Sequence, residues 1–133
     1  MISVENLNKS FEDKQVLCDI NIEFHNGQTN LIIGQSGSGK TVLMNCVVGL
    51  VQPDTGHILY DDRDITTMTK KERTLMRREI GMLFQGAALF DSMTVLDNVM
   101  FPLEMFSTNS YKQRKRRALF FLERVNLLDA QDK

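Results

Sequence analysis

An α/β fold is predicted by three observations. Strict alternation of apolar and polar residues runs through the first part of the chain, a glycine-rich turn joins an apolar run to an apolar segment of helix length, and a helix-capping signal precedes a return to strand pattern. Val16, Cys18, Ile20, Ile22 and Phe24 alternate with Leu17, Asp19, Asn21 and Glu23, which after Leu17 is the signature of a strand with one buried face. Together with Ile2 to Leu7 it suggests an antiparallel pair. Leu31, Ile32 and Ile33 predict a strand, and Val42 to Leu50, apolar nearly all round, predicts a helix packed in a core, with Gly49 near its end. Gln52-Pro53-Asp54-Thr55-Gly56 is a turn signal, and His57 to Tyr60 a short strand. Asp61 and Asp62 lie between that strand and Arg63-Asp64-Ile65, the pattern of a hairpin turn. Thr69-Lys70-Lys71-Glu72 fits a capping box opening a helix towards Arg78, and Ile80-Gly81-Met82-Leu83-Phe84 reads as strand again. Alternating strands and helices imply a largely parallel sheet behind an antiparallel N-terminal layer.

The chemistry sits in Gly34-Gln35-Ser36-Gly37-Ser38-Gly39-Lys40-Thr41, the complete phosphate-binding pattern G-x-x-x-x-G-K-[ST] directly after an apolar run. A strand ending in such a turn aims successive backbone N–H groups inward, and the following helix adds its positive end, so main chain holds a polyphosphate. Gly34, Gly37 and Gly39 permit close approach, Lys40 reaches the β- and γ-phosphates, and the Thr41 hydroxyl completes coordination of a phosphate-bound Mg²⁺.

Composition narrows the class without naming a partner. The chain has 133 residues and a formal net charge of −1, enough for one domain. Met1 to Ser10 lack the basic-then-apolar order of a secretory signal, and no apolar stretch approaches the roughly eighteen residues that span a bilayer. The chain reads as cytosolic. Cys18 and Cys46 stand far apart in apolar segments, which suits buried free thiols, and His25 and His57 have no companion ligands at metal-site spacing. Ile58 to Asp62 imitates a strand that delivers a carboxylate to Mg²⁺, but its closeness to the Pro53 turn favours the hairpin.

Phe11, the glycine loop, the Pro53-Asp54-Thr55-Gly56 turn and Arg77 to Gln85 occur in the order seen in ATP-binding cassette (ABC) transporter ATPases, which the whole chain resembles. More narrowly, Phe84 to Val95, followed by Asp97-Asn98-Val99 and Phe101-Pro102-Leu103, resembles the ATPase of Mla-type, MCE-associated phospholipid transporters. The resemblance implies a P-loop NTPase of ABC type, with a RecA-like core, an N-terminal antiparallel β layer and the start of a helical subdomain. Residues 1–85 would be the ATP-binding core and residues 86–133 the Q-loop continuation and helical subdomain. The family's signature motif, Walker B aspartate, catalytic glutamate and switch histidine have no counterpart up to Lys133, so the chain reads as the N-terminal part of a longer protein, incomplete at its C-terminus.

Roles follow residue by residue from that resemblance. The ligand is ATP with Mg²⁺, held by Gly34, Gln35, Ser36, Gly37, Ser38, Gly39, Lys40, Thr41 and Val42. Phe11 matches the aromatic position that stacks on adenine, an outcome open to any exposed π-face; the alternative is a core phenylalanine between two strands. Gln85 matches the Q-loop glutamine, whose amide reaches Mg²⁺ or the attacking water and offers donor and acceptor without charge. Many relatives carry a second hydroxyl where this chain has Val42, so only a backbone N–H serves the α-phosphate there, at a cost of about 1 kcal/mol.

The implied activity is that of an ATPase energising a membrane transporter, peripheral on the inner face of the cytoplasmic membrane and working as a head-to-tail dimer with a second ATPase subunit. Its permease would dock on Gly86 to Phe101, where Leu89 and Phe90 are apolar anchors and Val99, Met100 and Phe101 extend the surface until Pro102 interrupts it; Thr94 and Asp97 can cap that helix. The alternative is that Leu89 and Phe90 close a core. Two basic clusters, Lys70 to Arg78 and Lys112 to Arg117, leave weak attraction to anionic lipid open; the second opens a helix with an apolar stripe of Ala118, Phe121, Leu122 and Val125. Acidic residues balance the basic ones overall and no aromatics interleave the clusters, which argues against nucleic acid. Competing readings are a soluble ABC ATPase without a transporter and a nucleotide-binding piece without catalysis.

Overall fold

Paired bulges decide how the N-terminal strands bury their apolar residues. β1 (Ile2–Phe11) and β2 (Lys14–Phe24) are antiparallel, with Val4 opposite Ile22, Leu7 opposite Ile20 and Lys9 opposite Leu17. Three steps on β1 face two on β2, and then two face three. Asn6 and Asp19, both at positive φ, occupy the extra positions, so Val4 and Leu7 share one face although they are three residues apart, as do Leu17 and Ile20. The polar side chains close the irregularity: Asn6 N–H donates to Asn21 Oδ1 at 2.8 Å, Asn6 Nδ2 to Asp19 Oδ1 at 3.0 Å, and Asp19 N–H to Asn8 Oδ1 at 2.9 Å.

The computed structural model describes all residues except Gln85 and Ala87 and divides into two compact units, Met1–Met82 and Leu83–Lys133. In the first, the sheet order is β2-β1-β3-β4, entirely antiparallel, with β3 at Thr55–Tyr60 and β4 at Arg63–Asp64. Gly56 in β3, at φ 92°, sits against the Asn6 bulge; a Cβ there would lie 2.5 Å from the Asn6 carbonyl oxygen, so the crossing admits only glycine. The β3–β4 hairpin turns at Asp61 and Asp62, and Asp61 pairs with the N-terminal ammonium.

Helix α1 (Lys40–Val47) lays Leu43, Cys46 and Val47 on a core of Val4, Leu7, Leu17, Ile58, Ile65 and Met76. Helix α2 (Lys70–Met76) begins with the expected capping box, Thr69 accepting from Glu72 N–H at 3.3 Å and Glu72 accepting in return at 2.8 Å, then tightens into a 3-10 turn over Arg77–Glu79.

Two strand expectations are overturned. Leu31 to Ile33 and Ile80 to Phe84 carry no strand pairing, and the parallel sheet they implied is absent among the described residues. A strand is defined by a neighbour, and among the described residues none runs beside either segment. Ile32 and Ile80 still pack on the core, while Leu31 and Ile33 are each 81% exposed. Cys46 is buried as expected, but Cys18 is exposed because the Asp19 bulge shifts the face of the residues before it.

In the second unit, α3 (Val95–Phe106) and α4 (Tyr111–Arg124) pack through Leu96, Met100, Ala118 and Leu122. Thr94 caps α3 by accepting from Asp97 N–H at 3.1 Å, and the N–H groups of Val95 and Leu96 donate to the carbonyls of Lys133 and Gln131. Met100 is therefore core and not interface surface. Pro102 does not interrupt the helix, which continues to Phe106: one backbone bond is forgone, and packing of Met100 and Leu103 on both sides of the proline carries the helix through. The inward stripe of α4 is Ala118, Leu122 and part of Leu119, whereas Phe121 and Val125 are exposed.

Candidate functional site

The glycine loop reaches α1 through Gly39, the residue before the helix, at φ 92° and with no side chain capping the first turn. Its position is enforced from below. A Cβ on Gly39 would stand 3.0 Å from the Val16 carbonyl oxygen and 3.1 Å from the side chains of Val16 and Leu17, so the loop rests directly on β2. Main-chain bonds shape the rest, Ser38 N–H to the Gln35 carbonyl at 3.2 Å and Leu43 N–H to the Gly39 carbonyl at 2.8 Å.

Lys40 spans the turn. Its Nζ donates to the carbonyls of Gly34 at 2.8 Å and Gln35 at 2.7 Å, so the ammonium is held over the concave side of the loop by neutral acceptors. Gln35, Ser36, Gly37, Ser38 and Thr41 are exposed, and Val42 is half-buried with its side chain packed on the core. An uncapped helix start, a loop whose last glycine cannot take a Cβ, a poised ammonium and a free-standing Thr41 hydroxyl together fit a polyphosphate with a divalent cation. The donors number several and the acceptors few, which suits an anion.

Phe11 lies at the hairpin end, paired with Lys14, two residues before the Val16 contact that supports Gly39. It is 46% exposed, with Lys9 Nζ 5.3 Å from its ring centroid, so it is not the core phenylalanine of the alternative reading. The hairpin thus joins the exposed ring to the glycine loop. Gln85 lies outside the described residues, as does Ala87 of the proposed docking loop.

Asp54 belongs in sequence to a plain turn signal, and the structure gives it a further part. Its carboxylate accepts from Lys9 Nζ and Ser10 N–H, both at 2.6 Å, latching the β1 end that carries Phe11 to the turn before β3. The Lys9 hydrogen bond, with that of Ser10, holds its pKa below the usual carboxylate range. Asp61 and Asp62 are turn residues, as the hairpin pattern predicts; the hydrogen bond to the N-terminal ammonium holds the Asp61 carboxyl below the usual carboxylate range. His57 Nδ1 lies 2.7 Å from Asp64. Burial pushes the Asp64 carboxyl up, but the Thr66 hydroxyl and backbone N–H and the His57 ring outweigh it and leave the pKa lowered. No group of metal-ligating side chains exists among the described residues.

In the second unit Leu89 is 65% exposed, and Phe90 is exposed with its ring 4.8 Å from that of Phe101. Asn98 was singled out in sequence only as part of a resemblance, yet it organises this loop. Its Oδ1 accepts from Phe90 N–H at 2.8 Å, and its Nδ2 lies 3.1, 3.2 and 3.0 Å from the carbonyls of Phe90, Met93 and Thr94. An amide in the first turn of a helix after a capping threonine was the available signal.

Residues 17–133 match the family model described as ABC transporter. The chain is 40% identical over 127 residues to the methionine import ATP-binding protein MetN of Clostridioides difficile, covering 96% of this chain and 39% of that protein. It is 35% identical over 134 residues to the phosphonates import ATP-binding protein PhnC of Fusobacterium nucleatum subsp. nucleatum, covering 96% and 54%. Among solved structures it is similar to the ATP-binding cassette MJ0796, a dimeric post-hydrolysis state bound to ADP and Pi, with TM-score 0.84, 30% identity, and coverage of 100% of this chain and 61% of that one. The chain thus spans about half or less of the curated relatives it matches.

Proposed function

The chain belongs to the ABC transporter family, and on that premise we propose that it is the nucleotide-binding part of a subunit that couples ATP binding and hydrolysis to transport through a membrane permease. The observation that carries the reading is the glycine loop seated on β2 with Lys40 held across it. ATP with Mg²⁺ supplies the phosphoanhydride whose cleavage powers such a machine. The residues do the rest: Lys40 exchanges two carbonyls for phosphate oxygens, the first N–H groups of α1 donate to the same anion, and Thr41 offers its hydroxyl to the cation. Phe11 presents an exposed ring to the base and Val42 its backbone N–H. Gln85 is assigned to Mg²⁺ and the attacking water by its family position.

The same proposal divides the chain into an ATP-binding core, residues 1–85, and a helical subdomain, residues 86–133. The permease docks on Gly86 to Phe101, a placement supported by the exposure of Leu89 and Phe90. A second ATPase subunit completes the site head to tail, in keeping with the dimeric MJ0796 cassette. No helix among the described residues is long and apolar enough to cross a membrane, and the subunit works from the cytoplasmic face. For cargo we take phospholipid at the cell envelope, from the Phe84 to Leu103 resemblance; the names of MetN and PhnC favour, as a second class, small solutes such as an amino acid or a phosphonate.

Titration with a fluorescent ATP analogue and Mg²⁺ tests the reading. Lys40→Ala removes a charge-assisted bond worth roughly 1.5–3 kcal/mol, so affinity should fall about tenfold or more. Equal binding by both proteins would overturn nucleotide recognition by this loop.

A further inference from the structure

Helix α4 buries Ala118 and Leu122, and helical spacing turns Phe120, two residues from each, to the opposite side, where it is 51% exposed. Five exposed cations, Lys112, Lys115, Arg116, Arg117 and Arg124, lie on this helix with one acid, Glu123, and Lys112, Arg116, Arg117 and Arg124 flank Phe120 on its solvent side. An aromatic at the centre of a cationic face is not what solvation alone requires. The cations also cover the rings: the Arg124 guanidinium is 5.7 Å from the Phe120 centroid and that of Arg117 5.9 Å from Phe121, with the two rings 5.5 Å apart, edge to face. Beside them lies an open depression of about 590 Å³, lined by three cations, Lys112, Lys115 and Arg116, against one acid, Glu123, and by the apolar groups of Tyr111, Leu119, Phe120 and Leu128.

We propose that this face of α4 docks on an anionic lipid surface, with phosphate headgroups on Lys112, Lys115 and Arg116 and the rings of Phe120 and Tyr111 entering the headgroup layer. Charge complementarity selects the partner. The cations are strung along a helix of 14 residues, about 21 Å at 1.5 Å per residue, which exceeds any single small anion and matches a plane of many. Long Lys and Arg stems let apolar groups sink while their charges stay at the phosphates. An acidic protein segment would meet the same cations, but it would need a continuous groove, and the depression is open to one side of a convex helix. The choice of occupant rests on the membrane-side placement proposed above; the surface itself does not depend on nucleotide binding.

Flotation of the chain with vesicles tests it, comparing pure phosphatidylcholine with a mixture containing about 30% phosphatidylglycerol. The expected result is partition at least tenfold stronger to the anionic vesicles, falling steeply as salt rises from about 0.1 M to about 0.5 M. Arg116→Gln should weaken it roughly fivefold, the factor one cation near such a surface contributes, and Phe120→Ser by a similar factor, with Phe120→Leu restoring it. Lys71→Gln, in the first unit, should leave partition unchanged, and far-UV circular dichroism checks that each variant folds. Lys40→Ala should lose nucleotide and keep vesicles, so the two readings fail separately. Equal partition to both vesicle types, no flotation, no effect of Arg116→Gln and Phe120→Ser, or binding to soluble poly-glutamate without binding to vesicles would each overturn the proposal.

Discussion

Gly39→Ala is the substitution whose consequence follows most directly from the contact between the glycine loop and β2. At φ 92° an alanine is strained by about 1–2 kcal/mol, the usual cost of left-handed backbone for a residue with a Cβ. The new methyl also meets three atoms at 3.0 to 3.1 Å, one of them the Val16 carbonyl oxygen, which belongs to a strand and cannot rotate away. Overpacking of that kind adds about 1–2 kcal/mol. The loop relieves both by lifting off β2, and a phosphate must then pull it back, so affinity falls by up to roughly 2–4 kcal/mol, or about 30- to 1,000-fold. The assay is titration of an ATP analogue, with urea denaturation alongside to show that the sheet, built by other strands, still unfolds cooperatively. Binding within about threefold of wild type by a folded Gly39→Ala chain would refute the idea that contact with Val16 sets the loop's geometry.

Three further outcomes are expected. Asp54 has its pKa lowered by Lys9 and Ser10, so its contribution is complete above the ordinary value of 3.8 and is lost as pH falls through the lower folded value; urea midpoints should drop below about pH 4 in wild type and drop less steeply in Asp54→Asn, which keeps the lowered carboxylates Asp61, Asp64, Glu72 and Glu79, and parallel curves would contradict the latch. Leu31 and Ile33, each 81% exposed, offer apolar surface to solvent, so the Leu31→Lys, Ile33→Thr double variant should show less self-association in light scattering than wild type; an unchanged aggregation rate would rule this segment out as the cause. Leu89→Asp in the full-length protein should abolish co-purification with the permease and leave ATP affinity within about twofold, because the exposed side chain supports no core; loss of both would favour a structural role.

Features encoded within a few residues were legible in the sequence. The capping box at Thr69, the Asp61-Asp62 hairpin, the Thr94 cap and the glycine loop each depend on side chains that reach only neighbours, so their patterns survive without a fold. What depends on distant partners was not legible. The alternation in β2 runs unbroken in sequence from Cys18 to Phe24 across Asp19, whereas the bulge there moves Cys18 to solvent while bringing Leu17 inward. Leu31 to Ile33 has the composition of a strand but not the neighbour that would make it one. Pro102 reads as a break in the apolar surface, and the packing of Met100 and Leu103 on α4 shows why the helix continues through it. At the site, the motif marks the glycine loop and Lys40, whereas the support from Val16 and the latch from Asp54 come from residues separated from the loop in sequence.

Asn98 behaves as a rivet. By holding the N–H and C=O of Phe90 together with the carbonyls of Met93 and Thr94, it leaves the Phe90 end of the loop little slack relative to the first turn of α3. A push on the Phe90 ring cannot be absorbed by bending the loop unless several hydrogen bonds shear at once, at about 1 kcal/mol each. The load therefore passes into the first turn of the helix instead of being taken up by the loop. A contact made at Phe90 and Phe101 is felt along α3 without a hinge between them.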